Sequence, residues 1–389
     1  MKVKPAMRAD SVEEYYFSSK LRQIDEMRKS GRDVINLGIG SPDLPPSENT
    51  IRRLSEEASR PDVHGYQSYS GSPVLRKAFA DWYKKYFNVT LDPAGEIMPL
   101  IGSKEGIMHI SMAFVDPGDE VLVPDPGYPT YSSATKLAGG IVRSYDLKEE
   151  NGWLPDLASL ENSDLGKVKL MWINYPHMPS GARAGKKSFT ELVAFAVRNN
   201  ILLCNDNPYS FILNSDHLSI LSIDGAMETA IELNSLSKSH NMAGWRIGMA
   251  ASCREIITTV LRVKSNMDSG MFLPMQLAAA EALGNDDQWY ESINTNYSER
   301  RKSAEEIFEL LNCRFDPSQS GLFLWGKLPG NDTSCKGFSD ELLEKSGVFI
   351  TPGFIFGKNG KGYIRISLCS STKELQKAKE KIKHFTGTN

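Results

Sequence analysis

Between about residue 75 and residue 283, short apolar runs alternate with stretches of helical spacing. The runs fall at 97–101, 120–124, 141–146, 168–174, 201–205, 230–236 and 246–252. Several are β-branched or apolar throughout, as strands covered on both faces should be. Helical patterns lie between most of them, near 75–87, 104–114, 188–199 and 254–265. Such alternation predicts an α/β domain with a mostly parallel central sheet flanked by helices.

The tail from about 285 reads differently. A long charged helix over 297–311 leads into Gly321-Leu-Phe-Leu-Trp325. A helix near 338–345, the strand 363–368 and a closing helix near 372–385 follow. This predicts a smaller α+β domain of residues 285–389, joined by residues 1–44, beside a large domain of 45–284. A chain of 389 residues is long enough for two such domains and for a large core.

In sheets of this kind ligands gather at the carboxyl ends of the strands, and the chemistry-bearing residues cluster there. Ser235-Leu-Ser-Lys238 follows an apolar run, and Gly244-Trp-Arg246 puts an arginine eight residues after the lysine. A lysine amine can form an imine. The serine hydroxyls and the guanidinium beside it suit a phosphate. Pyridoxal phosphate, with an aldehyde and a phosphate, would use all of them.

The other candidates each carry a plain alternative. Gly102-Ser-Lys-Glu-Gly106 follows a strand and opens a helix, so Ser103 and the free N–H groups there suit a phosphate; ordinary capping explains them equally. Asp206, in Cys204-Asn-Asp-Asn-Pro-Tyr209, suits a cationic ring nitrogen or an Asx-turn before Pro208. Tyr209 suits a ring phenolate or a core position. Tyr128, in Pro124-Asp-Pro-Gly-Tyr-Pro-Thr-Tyr131, offers a face to a flat heterocycle or simply plugs a loop. Arg365, in the apolar strand Tyr363-Ile-Arg-Ile-Ser-Leu368, needs an anionic partner: a substrate carboxylate or an internal salt bridge.

Taken together these residues resemble the class I/II aminotransferases, pyridoxal-phosphate enzymes of fold type I, over nearly the whole chain. The resemblance implies that Lys238 holds the cofactor as a Schiff base. An α-amino group then moves from an amino acid to a 2-oxo acid by a ping-pong mechanism. It implies a phosphate site of Gly102, Ser103, Lys104, Ser235, Ser237 and Arg246, with Asp206 on the ring nitrogen, Tyr209 on the phenolic oxygen and Tyr128 against the ring. It places Arg365, Gly40 and Asn174 on the substrate side. Tyr66 matches a tyrosine that reaches the neighbouring subunit's phosphate, which implies a homodimer with composite sites. Within the family, Tyr15-Tyr-Phe-Ser18, Gly102–Gly106 and Lys264-Ser-Asn-Met-Asp-Ser-Gly270 resemble the branch containing LL-diaminopimelate aminotransferase, where Tyr15 and Asn266 match substrate-side positions.

One departure stands out. The family usually reads Asn-Pro-Thr-Gly where this chain has Met178-Pro-Ser-Gly181. A thioether cannot donate the hydrogen bond that the asparagine gives the phenolic oxygen. Tyr209 is then the main donor, with His177 the neighbour expected to compensate. The same residues would serve a carbon–sulfur β-lyase or a decarboxylase, and a non-catalytic homologue is a further alternative.

Composition narrows the field. A net charge of -3 favours neither nucleic acid nor membrane. Five scattered cysteines without a C-x-x-C pair fit a reducing compartment and no metal site. No apolar h-region opens the chain and no run approaches a membrane span, so a cytoplasmic protein is expected.

Overall fold

The computed structural model describes residues 3–12, 16–330 and 334–387. Its strands are, in chain order, β1 (Ile35–Asn36), β2 (Ile97–Leu100), β3 (Glu120–Asp125), β4 (Ile141–Asp146), β5 (Val168–Ile173), β6 (Leu202–Asp206), β7 (Ala230–Ser235), β8 (Gly248–Ala251), β9 (Arg314–Phe315), β10 (Phe323–Lys327), β11 (Val348–Phe349), β12 (Thr351–Pro352) and β13 (Tyr363–Ser367).

The central sheet has seven strands in the order β2-β8-β7-β6-β5-β3-β4. Only β8 runs antiparallel to its neighbours, so β2 points the same way as β7. The carboxyl ends of β2, β3, β5, β6 and β7 therefore share one edge, which also holds the entry to β8. These are the seven expected strands, and the sheet is mostly parallel as predicted.

Burial explains why the runs read as continuously apolar. Val121, Val123, Leu170 and Trp172 face one way and Leu122, Met171 and Ile173 the other, and all are buried. Helices Pro73–Phe87, Lys186–Asn199 and Leu273–Leu283 cover the second face. Helices Ser103–Phe114, Pro129–Ala138 and Arg254–Lys264 cover the first.

The tail builds a four-stranded sheet, β12-β13-β10-β9. It shares a core with helices Asp287–Leu310, Cys335–Ser346 and Thr372–Thr386 through Ile307, Phe308, Leu324, Leu342, Ile364 and Leu375. The first of these helices begins ten residues before the expected start. Asp286 caps it there, its side chain accepting from the Trp289 N–H at 3.2 Å. The N-terminal stretch joins this region, since β1 pairs in parallel with β11, Ile35 opposite Val348. Among the described residues no helix is long and apolar enough to cross a membrane.

Candidate active site

A cavity of about 420 Å³ opens at the shared strand edge. Ser103, Asp206 and Lys238 line it from the seven-stranded sheet, and Gly38, Phe323 and Arg365 from the other side.

Lys238 is placed by the turn after β7. The Ser235 hydroxyl accepts the Ser237 N–H at 3.1 Å and caps the short helix Leu236–Ser239. The Lys238 Nζ then reaches the carbonyl oxygen of Gly40 at 2.5 Å. Burial lowers its pKa, and the nearby Arg365 and Arg246 guanidinium groups add to that, against the opposing pull of Cys369 and Asp206. A lysine biased toward its neutral form is a nucleophile and a base.

Arg246 closes one end of the cavity. It has a left-handed φ of 60°, and its Nη1 lies 3.5 Å from the Ser237 hydroxyl and 2.9 Å from the Ala243 carbonyl. Gly102, with φ 80°, precedes the helix Ser103–Phe114, and a Cβ there would run into the Arg246 guanidinium. The glycine thus lets the arginine lie against the helix start. Ser103 Oγ is buried there without a well-formed hydrogen bond, though close enough to Asp206 to favour its charge, and Lys104 is exposed at the rim. Hydroxyls, the helix start and a guanidinium converge on one spot, an arrangement suited to an anion.

Asp206 ends β6 and is 5% exposed. Its Oδ2 accepts the hydroxyl of Tyr131 at 3.0 Å, while its Oδ1 is buried without a partner. Burial pushes this carboxyl up to about 6, against the opposing pull of Tyr131, Ser103 and Lys238. Sequence reasoning did not single out Tyr131. Its ring stacks on Trp172, centroids 5.0 Å apart and nearly parallel, which fixes the hydroxyl toward the carboxylate. Tyr209 lines the same cavity with its ring edge-on to Phe323, and burial raises its hydroxyl pKa strongly. Tyr128 lines it too, edge-on to Tyr131 at 5.6 Å.

Arg365 is 4% exposed on β13. Its Nη2 donates to the Gly38 carbonyl at 2.9 Å, its Nη1 lies 3.3 Å from the sulfur of Met178, and its Nε has no partner. Among the described residues no carboxylate pairs with it, so the internal salt bridge is not what holds it. The guanidinium sits 3.8 Å from the ring centre of Phe323 and 4.7 Å from that of Phe356. Burial lowers its pKa to about 10.

The other expected residues fall at different places. Asn174 lines the cavity, but its amide donates to the Asp206 carbonyl and accepts the Met178 N–H at 2.8 Å. It fixes the turn, and the bond to Asp206 uses one of its two amide N–H groups. His177 does not take over from the missing asparagine. Its ring nitrogens face the Ser180 hydroxyl at 2.7 Å and the Pro126 carbonyl at 3.2 Å, and burial takes its pKa down to about 3. Asn266 is exposed outside the cavity and donates to the Arg262 carbonyl at 2.7 Å. Tyr66, 95% exposed, also lies outside the cavity of a single chain. Tyr15 falls outside the described residues.

Beside the anion site lies a cluster the sequence reading passed over. Glu105 Oε2 accepts the Ile101 N–H at 2.5 Å, and its Oε1 faces His109 Nε2 at 3.0 Å. Asp268 converges on the same pair, and its Oδ1 is held by buried Lys264 at 2.6 Å. The Lys264 ammonium thus supplies the positive charge this cluster needs. The i, i+4 spacing of Glu105 and His109 was legible; their meeting with Asp268 was not.

The family model for aminotransferase class I and II matches residues 32–382, so the chain belongs to that family. It is an aminotransferase, and enzymes of this family depend in general on pyridoxal phosphate. An LL-diaminopimelate aminotransferase of Dehalococcoides mccartyi is 42% identical over 385 residues, 98% of this chain and 99% of the relative. One from Aquifex aeolicus is 42% identical over 95% of this chain and 96% of its own length. Substrate-bound BacF from Bacillus subtilis superposes with a TM-score of 0.94 at 34% identity, covering 99% of this chain and 98% of its own. An aromatic aminotransferase from Pyrococcus horikoshii gives 0.86 at 29% identity, covering 93% and 98%.

Proposed function

We propose that this chain binds pyridoxal phosphate covalently at Lys238 and uses it to move α-amino groups between amino acids and 2-oxo acids. One observation carries the reading: a buried lysine shares a cavity with a carboxylate, an anion site and a buried arginine that has no counter-ion among the described residues. The residues fit the cofactor. Ser103 Oγ and Asp206 Oδ1 are buried without well-formed hydrogen bonds, at the anion site and at the strand end where a phosphate and a ring nitrogen would be taken up. Ser103, Lys104, Ser235, Ser237, Arg246 and the N–H groups after Gly102 would hold the phosphate. Asp206 would hold the ring nitrogen, Tyr209 the phenolic oxygen, and Tyr128 a ring face.

When bound, the cofactor supplies an electron sink for the bonds at the substrate Cα. The chain does the rest. Arg365 takes the substrate α-carboxylate with its unpartnered Nε and so orients the Cα toward Lys238. Lys238, its pKa lowered by burial, would take the Cα proton onto its Nζ and hold it for return. Asp206, steadied by Tyr131, keeps its charge against the ring nitrogen. Two such half-reactions make a ping-pong cycle.

A second copy of the chain belongs to this proposal. Tyr66, Tyr69, Met267 and Phe272 are exposed. Gly270 packs closely on the carbonyls of Gln67 and Ser68, which draws the segments around them together. A homodimer would cover this patch and bring Tyr66 to the partner's anion site. The division into residues 45–284 and 1–44 with 285–389 is part of the same reading, with the cavity between the two parts. The purified protein should gain a visible absorbance band with pyridoxal phosphate, and an amino acid should bleach it. A 2-oxo acid should then restore it. A band that forms but responds to no amino acid contradicts the proposal.

A further inference from the structure

The substrate end of the cavity is walled unlike its cofactor end. The charged side chains lining it are Lys104, Asp206, Lys238, Arg246 and Arg365. The first four stand at the anion site, the ring nitrogen and the point of attachment. Among the described residues only Arg365 remains for the substrate, and one carboxylate satisfies it.

What surrounds that carboxylate site is apolar. The Arg365 guanidinium is boxed by Phe323, Phe356 and Phe17, with Cζ 3.8, 4.7 and 5.8 Å from the ring centres. The sulfur of Met178 stands where a polar amide is usual, 3.3 Å from Nη1. Leu21 and Ile39 complete the wall. A second charged group on a substrate would find no charged partner of its own among the described residues of this wall, which disfavours it.

We infer that the amino donor is an α-amino acid with an apolar side chain, aromatic or large aliphatic, and that Met178 with the phenylalanines around Arg365 selects it. The inference rests on the aminotransferase reading of the same site. It separates this chain from the relatives named for LL-diaminopimelate, a substrate with an ammonium and a carboxylate at its far end. Apolar donors make contact along the whole wall and lose nothing by leaving water.

The test uses the full-length protein loaded with pyridoxal phosphate. The rate of bleaching of the visible band is measured with phenylalanine, leucine and methionine, and with aspartate, glutamate, lysine and LL-diaminopimelate. Phenylalanine or leucine is expected to react about 100-fold more efficiently than any charged donor. A charged donor that matches them overturns the inference while leaving the aminotransferase reading intact. No response to any amino acid overturns that reading, and the inference with it. Binding gives a second readout: 3-phenylpropionate should bind more tightly than glutarate, and the reverse order overturns the inference. Ile39→Arg, at a partly exposed position of the wall, should raise efficiency with glutamate relative to phenylalanine by about tenfold. An unchanged ratio overturns the assignment of that wall.

Discussion

The Nη1 of Arg365 lies 3.3 Å from the sulfur of Met178, where the family's motif has an asparagine. A thioether is a weak acceptor and no donor. The arginine's Nε stays unpartnered for the substrate, and in the proposed reading the cofactor's phenolic oxygen has one donor fewer. An amide there would draw negative charge from that oxygen and weaken its hold on the neighbouring proton. Met178→Asn is therefore expected to lower the pH midpoint of the visible band by roughly 1–2 units, the equivalent of one charge-assisted hydrogen bond. A spectral pH titration of the two proteins checks this, and identical midpoints contradict it.

Asp206 is costly to the protein without its cofactor. Burial raises the folded carboxyl from 3.8 to about 6. The folded state therefore binds the proton more tightly than the unfolded one, and stability falls as pH rises between about 4 and 6. Above that window the buried charge costs about 3 kcal/mol, from some two pKa units. Asp206→Asn should make the cofactor-free protein more stable by up to that amount at pH 8, and by little at pH 4. Urea unfolding at both values measures it. A variant less stable at pH 8 would show that the carboxylate is stabilising instead.

Tyr131 should matter for cofactor affinity more than for folding. Its hydroxyl gives Asp206 a hydrogen bond at 3.0 Å, and its ring stacks on Trp172. Tyr131→Phe keeps the stack and removes the donor. A hydrogen bond to a charged group is worth about 1.5–3 kcal/mol, so pyridoxal phosphate should dissociate at least tenfold more readily. The apparent pKa governing binding should also rise, because the carboxylate loses a stabilising donor. Fluorescence titration with cofactor across pH reads both. Unchanged affinity and unchanged pH dependence would remove Tyr131 from the site.

Much of this was legible in the sequence, for physical reasons. A strand buried on both faces must be apolar throughout, so 168–174 and 230–236 announced themselves. The residues just past such strands, Asp206 and Lys238, had to lie on one edge once the sheet was parallel. Two-residue strands such as β1 and β11 carry no period and could not be seen. The long helix was read late because polar and charged residues separate Tyr290, Ile293 and Tyr297, the buried positions of its first turns. Tyr131 depends on a partner 75 residues away, and Asn174 on backbone groups of a turn, so their roles needed coordinates. The apolar box around Arg365 joins residues from positions 17, 323 and 356, which no spacing could connect.

Everything above depends on Lys238 as the point of attachment. The most direct measurement loads the purified protein with pyridoxal phosphate, reduces it with borohydride, digests it and locates the cofactor's mass by sequencing mass spectrometry. The account predicts the mass on the peptide containing Lys238, on no other lysine, and its absence from Lys238→Ala. A label on Lys104, Lys264 or any other lysine with Lys238 unmodified would contradict it.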